Sequence, residues 1–147
     1  MPAHSRVWIY QSEREFLSTE TGAIKTKAIE FVSQWTSHDQ LMKASIEVFY
    51  DRFIVVCVDE KTAPASGCGI DKSVKFIQVL EKEFNLSLLG RMNVAYRKDG
   101  KIYSVPISEL KNLGRVVVFN NLVATKEEFD KNWETSIEKS WHKQFIV

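Results

Sequence analysis

No apolar run in this chain is long enough to cross a bilayer, and residues 1–14 are polar and aromatic, without the apolar core of a signal peptide. Cysteine is scarce. Two among 147 residues are too few for a disulfide framework, and Cys57 lies in an apolar run where a free thiol behaves as a small hydrophobe. These absences point to a cytoplasmic protein with no membrane span. Neither sign of charge dominates: twenty Lys and Arg stand against nineteen Asp and Glu, a formal net charge of +1. Nucleic-acid binders ordinarily carry a basic face or a high pI, so nucleic acid is not an expected partner. His4, His38 and His142 fall in no His-x-x-x-His pattern and the cysteines in no Cys-x-x-Cys pattern, so no metal site is expected. Internal repeats and low-complexity linkers are missing as well.

What is present suits one α+β domain, residues 1–147, with a single core. Val7-Trp8-Ile9-Tyr10 alternates as a short strand. Ser12 with Glu15 has the form of a small capping box. Ile24, Ala28, Phe31, Val32 and Trp35 recur at the spacing of a helix laid on a core, beginning after Ser18, and the polar residues 36–40 read as its exit. Residues 44–50 and 53–58 read as a hairpin turning at Asp51-Arg52, its second strand apolar enough to be buried on both faces. Val74, Ile77, Leu80 and Phe84 mark a second amphipathic helix.

Further on, residues 91–96 and 102–105 are strands around Asp99-Gly100, a pair that a type I′ turn prefers because both central residues need φ > 0. Ser108 can cap a short helix stopped by Gly114. Residues 116–119 form another buried strand, and Thr125 with Glu128 opens a C-terminal helix carrying Phe129 and Trp133. The tail, with Trp141 and Phe145, is expected to dock. The expected fold is α+β: a mainly antiparallel sheet with a ferredoxin-like β-α-β-β-α-β core, plus a C-terminal hairpin, strand and helix.

The stretch richest in chemistry is residues 65–73, with Ser66, Gly67, Cys68, Gly69, Asp71, Lys72 and Ser73 around two glycines. It has pieces of the phosphate loop of a transporter ATPase, and Asp59-Glu60 after an apolar strand has the form of a Walker B segment. A phosphate loop needs Gly-Lys-Ser/Thr contiguous, so that lysine reaches the phosphates and the hydroxyl meets magnesium. Here Ile70-Asp71 separates Gly69 from Lys72, and Asp71 places negative charge where phosphate would sit. An ATPase of that kind is excluded. Backbone N–H groups at a helix start still allow a small anionic ligand, against the plainer reading in which Ser66 or Asp71 caps the helix. Cys68 there is a candidate nucleophile if a histidine serves as its base, against a merely exposed cysteine. Asp59-Glu60 with Asp71 reads as solvated acid rather than a paired-carboxylate site, and Asn120-Asn121 as a turn.

Ser5-Arg6-Val7-Trp8-Ile9-Tyr10-Gln11-Ser12, Phe31-Val32-Ser33-Gln34-Trp35, residues 65–74, Val118-Phe119-Asn120-Asn121-Leu122-Val123 and Ser140-Trp141-His142 together resemble a family of small bacterial proteins often labelled "ABC transporter ATPase". The resemblance spans nearly the whole chain and implies a shared fold, with no established activity to carry over. Residues 96–119 also resemble the hairpin, helix, strand order of GYF-type peptide-binding modules, without their full aromatic signature. The functional expectation is a non-catalytic binding or interaction domain, with a homodimer through a sheet edge or aromatic face as one mode. The alternative is an anion or phosphate-ligand binder, or a thiol-dependent enzyme, using residues 65–73. The residues specify no cofactor.

Overall fold

A computed structural model describes residues 1–61 and 63–146. In chain order the elements are β1 (Arg6–Gln11), α1 (Ser18–Gln34), β2 (Thr36–Ser37), β3 (Gln40–Leu41), β4 (Lys43–Phe49), β5 (Phe53–Asp59) and α2 (Gly67–Phe84). They continue with β6 (Asn93–Lys98), β7 (Lys101–Pro106), a 3-10 segment (Ile107–Asn112), β8 (Val117–Phe119), α3 (Lys126–Asn132), β9 (Glu134–Ser136) and two short 3-10 turns. The class is α+β, and every registered strand pair is antiparallel. Among the described residues no helix is long and apolar enough to cross a membrane.

β5 explains the layering. All seven of its residues are buried, as its unbroken apolar run requires, and side chains alternate across a strand. Ile54, Val56 and Val58 face α1 and α2, meeting Ile24, Trp35, Ile77 and Leu80. Phe53 and Cys57 face the other way, onto Trp133 at the end of α3 and onto Ala95 and Phe119 of a second sheet. That sheet has the order β7-β6-β8-β9, beside a first sheet β1-β5-β4 and a two-stranded ribbon β2-β3. On its far face Val94, Tyr96 and Val118 cover Leu110 and Ile137. The molecule is thus helix pair, sheet, sheet, and a layer of 3-10 turns.

The ferredoxin-like expectation fails at its last strand. β1, α1, β4, β5 and α2 fall in the order and pairing of a split β-α-β unit, but β6 does not return to lie beside β1. It pairs with β7 and β8 instead. Both faces of β6 are apolar: Ala95 packs toward the first sheet and Val94 and Tyr96 away from it. Such a strand needs cover on both sides, which a place between two packed layers provides. The position beside β1 is touched only at one end, where the Val7 N–H donates to the Ala124 carbonyl (3.0 Å) and Arg6 bridges Thr125.

Local chemistry accounts for most boundaries. The Asp99-Gly100 turn has φ of 53° and 78° as expected, and the β4–β5 turn falls on Tyr50-Asp51 (φ 55° and 50°), one residue before its expected place. Residues 36–40 are a third tight hairpin rather than a plain exit, turning on His38 and Asp39 with φ of 52° and 63°. The Ser12–Glu15 box does not form. Glu20 caps α1, accepting from the Leu17 N–H (2.8 Å) and pairing with Arg14 (2.8 Å). Ser108 caps nothing, because the 3-10 segment starts from Pro106. Thr125 does cap α3, accepting from the Glu128 N–H at 3.2 Å. α3 stops at Asn132, and Glu134-Thr135-Ser136 joins the second sheet as β9.

Candidate functional site

Residues 65–73 are not a free loop. The helix expected from Val74 onward already starts at Gly67, and Ser66 is its N-cap, accepting from the Gly69 N–H (3.5 Å) and sharing a 2.5 Å hydrogen bond with the Ser37 hydroxyl. The Trp35 indole N–H donates to the Gly69 carbonyl at 2.9 Å. A Cβ on Gly69 would lie 3.1 Å from the Ser37 Cβ, so glycine here permits close approach of α2 to β2. Lys72 donates to the Thr36 carbonyl and hydroxyl (3.0 and 3.1 Å), and the Ser73 hydroxyl donates to the Ile70 carbonyl (2.7 Å). Gly67, Cys68 and Asp71 are exposed. The Lys72 amine and the Ser66 hydroxyl therefore fasten the start of α2 to β2, and the Ser73 hydroxyl is used within α2 itself.

Two of the three histidines are engaged elsewhere, His4 with Asp59 (3.1 Å) and His142 with Ser140 (2.6 Å), while His38 is exposed in the β2–β3 turn with no hydrogen bond from its ring among the described residues. Asp59 corrects the reading of a solvated acid. It is buried, and the Lys61 N–H (3.1 Å), His4 and Lys43 (3.7 Å) hold its carboxyl below the ordinary carboxylate value. Glu60 accepts from the Ala65 N–H (2.9 Å) and pairs with Arg6 (3.3 Å). Both cysteines are free, Cys57 buried and Cys68 exposed. Burial raises the Cys57 thiol, which suits packing rather than nucleophilic work.

Two openings of similar volume lie among the described residues, one of about 400 Å³ between β4, β5 and α3, and the other where β6 fails to return. A cleft of about 440 Å³ opens along the free edge of β1, bounded by residues 88–94, residues 119–124 and the Trp141-His142 turn. Hydrogen bonding alternates along an antiparallel strand. The Val7 N–H leaves the sheet for Ala124 while the Ser12 N–H returns to Arg52, so the Ile9 backbone faces outward into the cleft. Its N–H and C=O have no backbone partner among the described residues. The cleft is closed at both ends of that window. One end is the Ala124 contact; at the other the Gln11 amide accepts from Asn121 (2.9 Å) and donates to the Asn93 carbonyl (3.4 Å).

Three side chains give the cleft its chemistry. His142 is 2 % exposed, and its ring stacks on Trp141 at 4.0 Å. Burial pushes its pKa down to about 4, so the ring is neutral at physiological pH. The Ser140 hydroxyl accepts the His142 backbone N–H (3.4 Å) and shares a hydrogen bond with Nδ1 (2.6 Å), which leaves Nε2 as the ring nitrogen without a protein partner among the described residues. Tyr10 is 9 % exposed, and its phenol is raised by burial, with the nearby Arg91 opposing. Arg91 itself is exposed at the rim. Asn120 and Asn121 are a turn, as expected, whose amides also accept the indole N–H groups of Trp141 (3.0 Å) and Trp133 (2.9 Å).

Sequence reasoning missed this site because its residues come from five separated segments. The one available signal was the buried-looking Trp141-His142 pair in the tail. Among the described residues no group of three His, Cys, Asp or Glu side chains is placed to hold a metal ion. Fold and cleft define the class as a two-sheet α+β domain with a small-molecule-sized opening at a strand edge. No family model, curated protein or solved structure matches the chain.

Proposed function

We propose that this protein acts by binding, without ATPase activity, and that the cleft beside β1 is where it binds. The observation that carries the reading is the cleft itself: about 440 Å³, with a mixed polar and apolar lining and the unpaired Ile9 backbone in its wall. Small-molecule sites are concave, mainly apolar openings of roughly 300–1,000 Å³ with a few fixed polar groups. The internal use of Ser66, Lys72 and Ser73 weighs against the alternative of an anion site or thiol enzyme at residues 65–73. A cytoplasmic location fits two unpaired cysteines. Kinship with the small bacterial family named above remains part of this reading, as does a homodimer through the free outer edge of β4, which pairs only with β5.

The test is a fragment library titrated against ¹⁵N-labelled protein. Binding at the cleft moves the amides of Ile9, Leu89, Arg91, Asn121 and His142 and leaves those of Cys68 and Asp71 in place. Shifts confined to residues 66–73, loss of binding on alkylation of Cys68, or hydrolysis of ATP would overturn the reading.

A further inference from the structure

We infer that the ligand of the cleft is a small apolar monoanion, a carboxylate with a hydrocarbon body. This rests on the cleft reading above and adds the charge and polarity of the ligand.

Two kinds of observation support it. The first is charge: among the described residues, the only formally charged ones lining the cleft are Arg6 and Arg91. Arg6 is engaged by Glu60 (3.3 Å) and lies over the Trp8 ring (4.6 Å). Arg91 has no carboxylate partner among the described residues, so its charge is available to a ligand. The second is the set of buried polar atoms left open. His142 has Nδ1 occupied by Ser140, yet its Nε2 is not among the sealed, unpartnered side-chain atoms, of which Ser5 Oγ is the one described. A ring 2 % exposed that lines the cleft can open Nε2 only onto the cleft. The Tyr10 hydroxyl, on a side chain more than nine-tenths buried, likewise has no protein partner among the described residues and lines the same space. The Ile9 N–H and the Tyr10 hydroxyl can donate into the cleft beside the Arg91 charge, and a carboxylate is an acceptor with two oxygens. Val7, Leu88, Val94, Ile107 and Phe119 supply apolar wall for its body. A running peptide strand fits less well, because the Ala124 contact at one end and the Gln11 side-chain bridges to Asn121 and Asn93 at the other leave only the short edge from Ile9 to Gln11 open.

The experiment compares octanoate, octan-1-ol and octylamine, three probes of one length and different charge, by amide shift titration on the full chain. Octanoate should bind at the cleft about tenfold or more tightly than octan-1-ol, since a charge-assisted bond is worth roughly that factor, and octylamine should bind least. Arg91→Gln, at an exposed position that leaves the fold intact, should bring octanoate to the affinity of octan-1-ol without changing the latter. Tyr10→Phe should weaken octanoate by a smaller factor. Equal binding of octanoate and octan-1-ol at the cleft, or unchanged octanoate affinity in Arg91→Gln, overturns the anion inference and leaves the cleft reading standing. Shifts from all three probes that fall outside the cleft overturn both.

Discussion

A buried histidine held neutral carries a pH signature. His142 has a folded pKa of about 4 against an ordinary value of 6.5. As pH falls below 6.5 the unfolded chain binds a proton at this position that the folded chain does not take up until about pH 4. Stability is therefore complete above pH 6.5 and is lost progressively down to pH 4, by an amount on the order of 3 kcal/mol. Urea unfolding midpoints measured from pH 7 to pH 4 should fall along this window, and His142→Gln should flatten that part of the profile. A slope that survives the substitution assigns the proton to another group. Glu20 titrates lower: Arg14, and then the Leu17 N–H, hold it at about 2, so its contribution is complete above about pH 4.5 and is lost from there down, overlapping only the acid end of the histidine window. Neither environment was legible from residue type. Trp141-His142 was visible as a pair, but the Ser140 bond and the burial that set the pKa arise from how the tail docks.

Elements are fastened here by close contacts rather than by long interfaces. The join of α2 to β2 is the clearest case, and its two glycines should respond oppositely to the same change. A Cβ on Gly69 would meet the Ser37 Cβ at 3.1 Å, and Ser37 is itself buried and tied to Ser66. Gly69→Ala should cost about 1–3 kcal/mol as an overpacked contact, outweighing the gain in helix propensity. Gly67 has nothing within 4 Å of its added Cβ, so Gly67→Ala should be neutral or stabilise by up to roughly 1 kcal/mol. Equal thermal midpoints for the two variants would show that Ser37 yields. The glycines were visible in the sequence as a helix start. That only one of them is sterically required depends on Ser37, thirty-odd positions earlier, and could not be read from local pattern.

At the scale of the molecule, one aromatic cluster joins the two sheets. The Trp133 ring lies 4.9 Å from Phe53 of the first sheet and 5.1 Å from Phe119 of the second, and Phe49 and Phe129 pack against it. Its indole N–H is bonded to Asn121. Trp133→Ala should lower stability by about 3–5 kcal/mol, measured by urea unfolding. Because the cluster is shared, far-UV circular dichroism and tryptophan fluorescence should still report one coincident transition. Two separated transitions would mean that the sheets fold as independent units.

Local pattern by itself determined the two long helices, the β4–β5 and β6–β7 hairpins, the Asp99-Gly100 turn and the cap at Thr125, because each depends on residues within a few positions of one another. It also established that residues 65–73 lack the spacing of a phosphate loop. Only the tertiary structure decided that β6 seeds a second sheet, since a strand apolar on both faces fits either place until its cover is known. That choice leaves the edge of β1 open, and the open edge makes the cleft. Residues 65–73 become a helix join, and the cleft proposed for binding gathers Ile9, Tyr10, Arg91 and His142, brought together by packing across most of the chain.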